Sequence, residues 1–324
     1  MKNCRTSIVA IIFVFVSTGT AQETKSFLSV QDIFSGWQKN YGEMKSMEVS
    51  YTEEVVSAEP PRRDPNIINR MIRWVYVESF IEEGRKYRGK SLTARVKPST
   101  AEKSFNDINS VEEVTYDGIH QRRYSPAEKT GQIFAGQFLR NASTINRFRS
   151  YLVSNPHIEN SGIEGEESVF SHRIKQGLTD PNYTISVRPG LEKVAGQMCH
   201  VMELKFIKTN AIVAIIWVAH EKGMLLMRFQ EFGSETRVAY EIAVEEIGFA
   251  GTENGGLWYP KKAYNFWNMP DTLGVIKQEF NVLKFVPNIK TDRNTFSLDF
   301  PNGTQVGDAE LGTTYTVGVT LEKQ

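Results

Sequence analysis

AIVAIIWVAHEKGMLLMRFQEF, from Ala211 to Phe232, consists of two apolar runs around a short polar turn that contains Gly223. Each run is long enough for a strand, and the glycine supplies a tight bend, so the stretch reads as a β-hairpin. An antiparallel sheet with one wetted face would alternate apolar and polar residues. This hairpin is apolar on both faces over much of its length, so something must cover each face.

Outward from the hairpin the pattern stays that of a sheet. Tyr183 to Arg188, Cys199 to Ile207, Val238 to Ile247, Ala263 to Asn268 and Val275 to Phe285 all read as strands, as does Val169 to Lys175. Pro189 with Gly190, Gly196, and the glycines between 251 and 256 mark the turns. Toward the N-terminus, Met47, Val49 and Tyr51 alternate with Glu48, Ser50 and Thr52, as in a half-buried strand. Met71 to Phe80 and Tyr87 to Val96 continue the sheet, and Pro98 to Ser110 reads as a polar loop. Val114 to Tyr124 holds Asp117 and Gly118 between two short strands, the signature of a two-residue hairpin turn.

Two segments are helical. Val30, Ile33, Phe34, Trp37 and Tyr41 recur at the helical period, with Ser29 and Asp32 forming a capping pair at the start. Ile145, Phe148, Tyr151 and Leu152 form a second stripe between Phe138 and Leu152, stopped by Asn155 and Pro156. The fold class is therefore mainly β with α, built on a long antiparallel meander.

The ends of the chain set the compartment. Lys2 and Arg5, the apolar run Ile8 to Val16, and the small residues Gly19, Thr20 and Ala21 make the three parts of a cleavable secretory signal. The apolar run is about half of what a membrane-spanning helix needs, so no stable membrane span is expected. Cys4 lies ahead of that run, whereas a lipidated cysteine follows it. Residues 1–21 are read as the signal peptide and 22–324 as one domain, with a C-terminal extension from about residue 287. Cleavage near Ala21 would deliver a periplasmic or secreted protein.

Cys199 is then the one remaining cysteine, so no intramolecular disulfide can form and burial alone must hold the fold. Loss of Lys2 and Arg5 leaves 36 basic residues against 38 acidic ones. Nucleic-acid binding has no electrostatic support at that balance.

Short catalytic signatures are absent: there is no Gly-x-Ser-x-Gly, no Ser-x-x-Lys, no Walker loop and no dinucleotide fingerprint. His120, His157, His172, His200 and His220 are scattered, without metal-ligand spacing on a helix or tight turn. Glu112 with Glu113, and Glu245 with Glu246, are neighbours on strands and point to opposite faces, as solvated charges do. No cofactor and no metal is expected, and no catalytic residue. Asn-x-Ser/Thr triplets at Asn141, Asn182 and Asn302 matter only in a cell that glycosylates them.

Five stretches carry a resemblance. They are LSVQDIFSGWQKNYGEMKSMEVSYTEE (28–54), TYDGIHQRRY (115–124), IIWVAHEKGMLLMRFQEF (215–232), GLWYPKKAYNFW (256–267) and FSLDFPNGTQVGDAELGTTYTVG (296–318). Together the chain resembles the LolA-like superfamily of bacterial-envelope lipoprotein carriers, which includes outer-membrane lipoprotein-sorting proteins. His220 and Glu221 stand where that family usually has an Asp-Pro pair. The resemblance implies a large curved antiparallel sheet forming an unclosed half-barrel, its concave face covered by two or more helices around an apolar cavity. By the same analogy Trp37, Phe148, Tyr151, Leu225, Met227 and Phe229 would line the cavity. The implied ligand is a lipid or lipoprotein acyl chain. A sensor or scaffold of the same fold, with an envelope protein as partner, is the alternative, and an envelope hydrolase a third. An ordinary packed core satisfies the same apolar pattern.

Overall fold

The computed structural model describes residues 28–41, 44–58, 72–83, 86–96, 108–136, 169–233, 237–252, 255–269, 274–292 and 294–319. The expected signal peptide and the helix expected between Phe138 and Leu152 lie outside these residues. The N-terminal half contains α1 (Val30–Tyr41), β1 (Ser46–Ala58), β2 (Ile72–Glu83), β3 (Lys86–Val96), β4 (Ile108–Tyr116), β5 (His120–Ser125) and β6 (Thr130–Ala135). The next part holds α2 (Val169–Thr179), β7 (Tyr183–Val187), β8 (Glu192–Val194), β9 (Gln197–Phe206), β10 (Ala211–Ala219) and β11 (Leu225–Phe232). The last is β12 (Val238–Thr252), β13 (Gly255–Met269), β14 (Gly274–Pro287), β15 (Gln305–Asp308) and β16 (Thr313–Thr316).

Among the described residues all strands join one 16-stranded sheet, ordered β16-β15-β6-β5-β4-β3-β2-β1-β14-β13-β12-β11-β10-β9-β7, with β8 on the edge beside β9. The sheet is unclosed, because β16 and β7 stand at opposite ends of this path. Neighbours pair antiparallel, as a meander dictates, apart from β15, which returns to lie parallel to β6. Register irregularities in β1 with β14, β10 with β11 and β12 with β13 bend the strands and add twist.

The N-terminus of α1 forms as its residues dictate. The Ser29 N–H donates to Asp32 Oδ2 at 2.8 Å, and the Asp32 N–H donates to Ser29 Oγ at 3.1 Å, a reciprocal cap that also holds the Asp32 carboxyl below its usual range. Ile33, Phe34 and Trp37 are buried along one stripe of the helix.

Three expectations are corrected. Val169 to Lys175, read as a strand, is the start of helix α2. Its packing shows why: Ile174 is buried, and Gly177, one turn further on, faces the sheet. A Cβ on Gly177 would stand 2.6 Å from Leu204 Cδ1 and 3.2 Å from Ile185 Cβ, so glycine permits the close approach. Residues 108–110, expected to close a polar loop that began at Pro98, instead open strand β4. The turn expected at Asp117 and Gly118 is displaced by one residue: the Asp117 N–H donates to the His120 carbonyl at 3.3 Å, which leaves Gly118 and Ile119 between them. Asp117 Oδ1 accepts from the N–H groups of Ile119 (2.8 Å) and His120 (2.7 Å), and only Gly118 takes a positive φ, 102°.

The C-terminal stretch is integral to the sheet. Phe296 and Leu298 are buried, the Leu298 carbonyl accepts from Arg122 Nη1 at 3.2 Å, and the Phe300 ring lies 6.2 Å from that of Tyr124. A Cβ on Gly131 would come within 2.8 Å of the Phe300 ring, so the chain crosses β6 where no side chain intervenes.

Candidate functional site

The inner face of the sheet is the one on which α2 lies. One register row crosses it from edge to middle: Val187, Met202, Ile216, Phe229, Ile242, Asn265 and Gln278 stand opposite one another on β7, β9, β10, β11, β12, β13 and β14. From Met202 to Ile242 its side chains are apolar and have at most 1% exposure. Period-two alternation puts those residues on one face, and pairing brings them into a single band. Tyr240 meets Phe229 edge to face at 5.9 Å, and Trp267 lies 5.2 Å from Tyr240.

The polar members of the band stand out. Asn265 is 4% exposed, and its Oδ1 has no hydrogen-bond partner among the described residues. Glu53 on β1 is also buried, opposite Phe280 on β14. A buried amide oxygen without a donor costs about 1–3 kcal/mol. Replacing Asn265 by leucine, which is close in volume, is therefore expected to raise the unfolding free energy by about 1–2 kcal/mol in urea titration. A loss of stability would mean that the amide makes compensating contacts.

Helix α1 docks on the same end of the sheet. It meets β7, Trp37 Nε1 donates to the Met224 carbonyl, and a Cβ on Gly36 would stand 2.7 Å from Met224 Cγ. Trp37, Leu225, Met227 and Phe229 thus join one buried cluster. Their alignment is less regular than alternation predicts. A register shift between Trp217 and Val218 sets Leu226 opposite Val218 and Leu225 opposite Ala219, out of step with Phe229. Phe148 and Tyr151 lie outside the described residues. Helix α2 is fixed to the band by Arg173, which donates to Glu231 Oε1 on β11 and, within the helix, to Gln176 Oε1 at 2.6 Å.

The second apolar face of the hairpin is covered by the protein itself. Trp217 is buried on the outer face, its Nε1 donates to Glu192 Oε2 at 2.9 Å, and the Arg228 guanidinium lies 5.4 Å over its ring. Arg228 Nε continues to Glu241 Oε1 at 2.6 Å, and Gln230 donates to the same oxygen at 3.2 Å. The indole hydrogen bond, with Arg188, holds the Glu192 carboxyl below its usual range.

Cys199 is a buried strand thiol, its pKa pushed up to about 11 by burial. The structure brings together one pair that sequence spacing did not reveal: His200 Nε2 and His220 Nδ1 stand 2.7 Å apart. They are 20 residues apart in the chain, and only the β9–β10 register, with His200 opposite Val218, makes them neighbours. Among the described residues no helix is long and apolar enough to cross a membrane.

No protein-family profile matches the chain, and no curated protein matches it. Solved structures do resemble it. One is a DUF1329 family protein from Desulfovibrio piger, at 12% identity and TM-score 0.39, covering 82% of this chain and 95% of that one. A putative outer membrane lipoprotein-sorting protein domain from Vibrio parahaemolyticus is similar at 11% identity and TM-score 0.39, over 81% of this chain and 95% of its own. A LolA superfamily protein from Nitrosomonas europaea is similar at 10% identity and TM-score 0.39, over 85% and 100%.

Proposed function

We propose that the chain is a non-enzymatic binding protein of the bacterial envelope that shelters an acyl chain of a lipid or lipoprotein against the inner face of its sheet. The observation that carries this reading is the composition of the inner-face row. A broad apolar band on an unclosed sheet ends at Asn265, whose Oδ1 is buried and lacks a donor. A band that served only as core would gain by having an apolar residue there. An amphiphile offers both matching parts: methylenes for the band, at about 0.8 kcal/mol each, and a polar linkage beside the amide. In this reading Trp37, Met227 and Phe229, with Leu225 at the margin, border the ligand. Cleavage of the expected N-terminal signal would put its work in the periplasm or outside the cell.

The test is direct. The chain from Gln22 onward, purified without detergent, is expected to carry lipid extractable into organic solvent and, once delipidated, to bind a fluorescent fatty acid at one site. A delipidated protein that leaves the probe's fluorescence unchanged would overturn the reading.

A protein-binding module is the second reading. The observation in its favour is Phe249, 54% exposed and 4.9 Å from the Trp258 ring, near the tip of the β12–β13 hairpin. An exposed aromatic ring of this kind, backed by the partly buried Trp258, suits a partner's apolar side chain. Crosslinking through a photoreactive residue at position 249 would identify such a partner.

A further inference from the structure

His200 and His220 approach with Nε2 and Nδ1 2.7 Å apart, ring centroids 4.7 Å apart and planes at 77°. A hydrogen bond between two imidazoles needs one nitrogen as donor and the other as acceptor, so at least one ring is neutral. Neutral imidazole is the form that ligates metals.

The backbone holds the two rings in place. His200 sits in the β9–β10 ladder, and the His220 N–H donates to the Met198 carbonyl at 3.0 Å. The turn that follows is closed by Lys222 N–H to Ala219 O and Leu225 N–H to Lys222 O, with positive φ at Gly223 (66°) and Met224 (58°). His220 itself is exposed.

We propose that His200 and His220 form a two-imidazole site for a late first-row divalent transition ion, Cu2+, Ni2+ or Zn2+. Imidazole suits these ions, and the ordinary affinity series puts Cu2+ first. Metal–nitrogen bonds of about 2.0–2.1 Å place two nitrogens at adjacent positions of one ion about 3 Å apart, close to their present separation, so binding needs the two rings to turn both lone pairs toward the ion while the proton of the donor ring passes through solvent to its other nitrogen. The exposed side of His220 leaves the other positions to water. Among the described residues no group of three His, Cys, Asp or Glu gathers to hold a metal, so this site binds its ion exchangeably rather than as a structural centre. The ion would tie the β10–β11 turn to β9. That same turn receives the Trp37 indole at Met224 O and covers the Trp258 ring with Lys222 at 4.0 Å.

The experiment is calorimetric titration of the tag-free chain from Gln22 onward with each ion alone, in a non-coordinating buffer at neutral pH. One Cu2+ per chain is expected, bound more tightly than Zn2+. His200→Ala and His220→Ala should each lose affinity by about tenfold or more, since loss of a ligand costs at least as much as loss of its outer support. His120→Ala serves as the control, because among the described residues His120 is a histidine that stands beside acidic groups, 3.0 Å from Glu310 and 3.8 Å from Asp117. Circular dichroism of His220→Ala, altered in an exposed turn, confirms that its loss of binding is not a loss of fold. The proposal is overturned if the wild type shows no saturable binding, if His220→Ala binds as the wild type does, or if only His120→Ala lowers affinity.

Discussion

Replacing Trp37 by alanine is expected to lower the unfolding free energy by about 3–5 kcal/mol, the range for truncating a buried aromatic. Trp37 is 2% exposed and meets Phe34, one turn earlier on the same stripe, in a tilted contact with ring centroids 5.3 Å apart. Its removal takes three things at once: the apolar area of the indole, the filling of the space beside Met224, and the donor to the Met224 carbonyl. Gly36 brings α1 so close to Met224 that the helix has little room to settle into the void. Trp37→Phe separates the contributions. It keeps most of the ring and loses the indole N–H, so a cost of about 1–2 kcal/mol is expected from the hydrogen bond and the residual gap. Urea titration of both variants checks this. A cost below about 1 kcal/mol for Trp37→Ala would show that α1 is not docked as described.

How far the sequence discloses this arrangement depends on whether the signal is local. The cap of α1 is written within four residues, Ser29 to Asp32, and forms as read. The hairpin from Ala211 to Phe232 likewise needs only its two apolar runs and Gly223. Helix α2 escapes because its sheet-facing positions are Ile174 and Gly177, and a glycine chosen for close approach adds nothing to an apolar count. The return of β15 to β6 is a long-range parallel pairing of four residues, too short to show a period. Register explains the rest. The pairing of His200 with His220, the isolation of Asn265 Oδ1, and the covering of Trp217 by Glu192 and Arg228 all depend on which strand residues stand opposite one another. One irregularity at Trp217 and Val218 is enough to put Leu225 out of step with Phe229. The two apolar faces of the hairpin are legible in the sequence; what covers each of them is not.

Phe229→Ala addresses that question, with an expected loss of about 3–5 kcal/mol in the delipidated protein. Phe229 is fully buried between Ile216 and Ile242 in the register row and meets Tyr240 edge to face. The strands on either side are fixed by their ladders, so the space vacated by the ring stays largely open. Two roles for the side chain predict the same loss without ligand and different behaviour with it. If Phe229 borders a bound acyl chain, the vacated volume is open to ligand, and a saturating branched fatty acid should restore part of the loss. A ligand at 100 times its dissociation constant contributes about 2.7 kcal/mol to the folded state. The variant should also come to prefer branched over straight chains, because a wider band leaves a straight chain with unfilled space beside it. If Phe229 is core alone, the ligand stabilises wild type and variant equally and the chain preference is unchanged. Parallel urea titrations with and without a saturating fatty acid distinguish the two, and equal stabilisation would remove Phe229 from the proposed lining while leaving acyl binding elsewhere on the inner face intact.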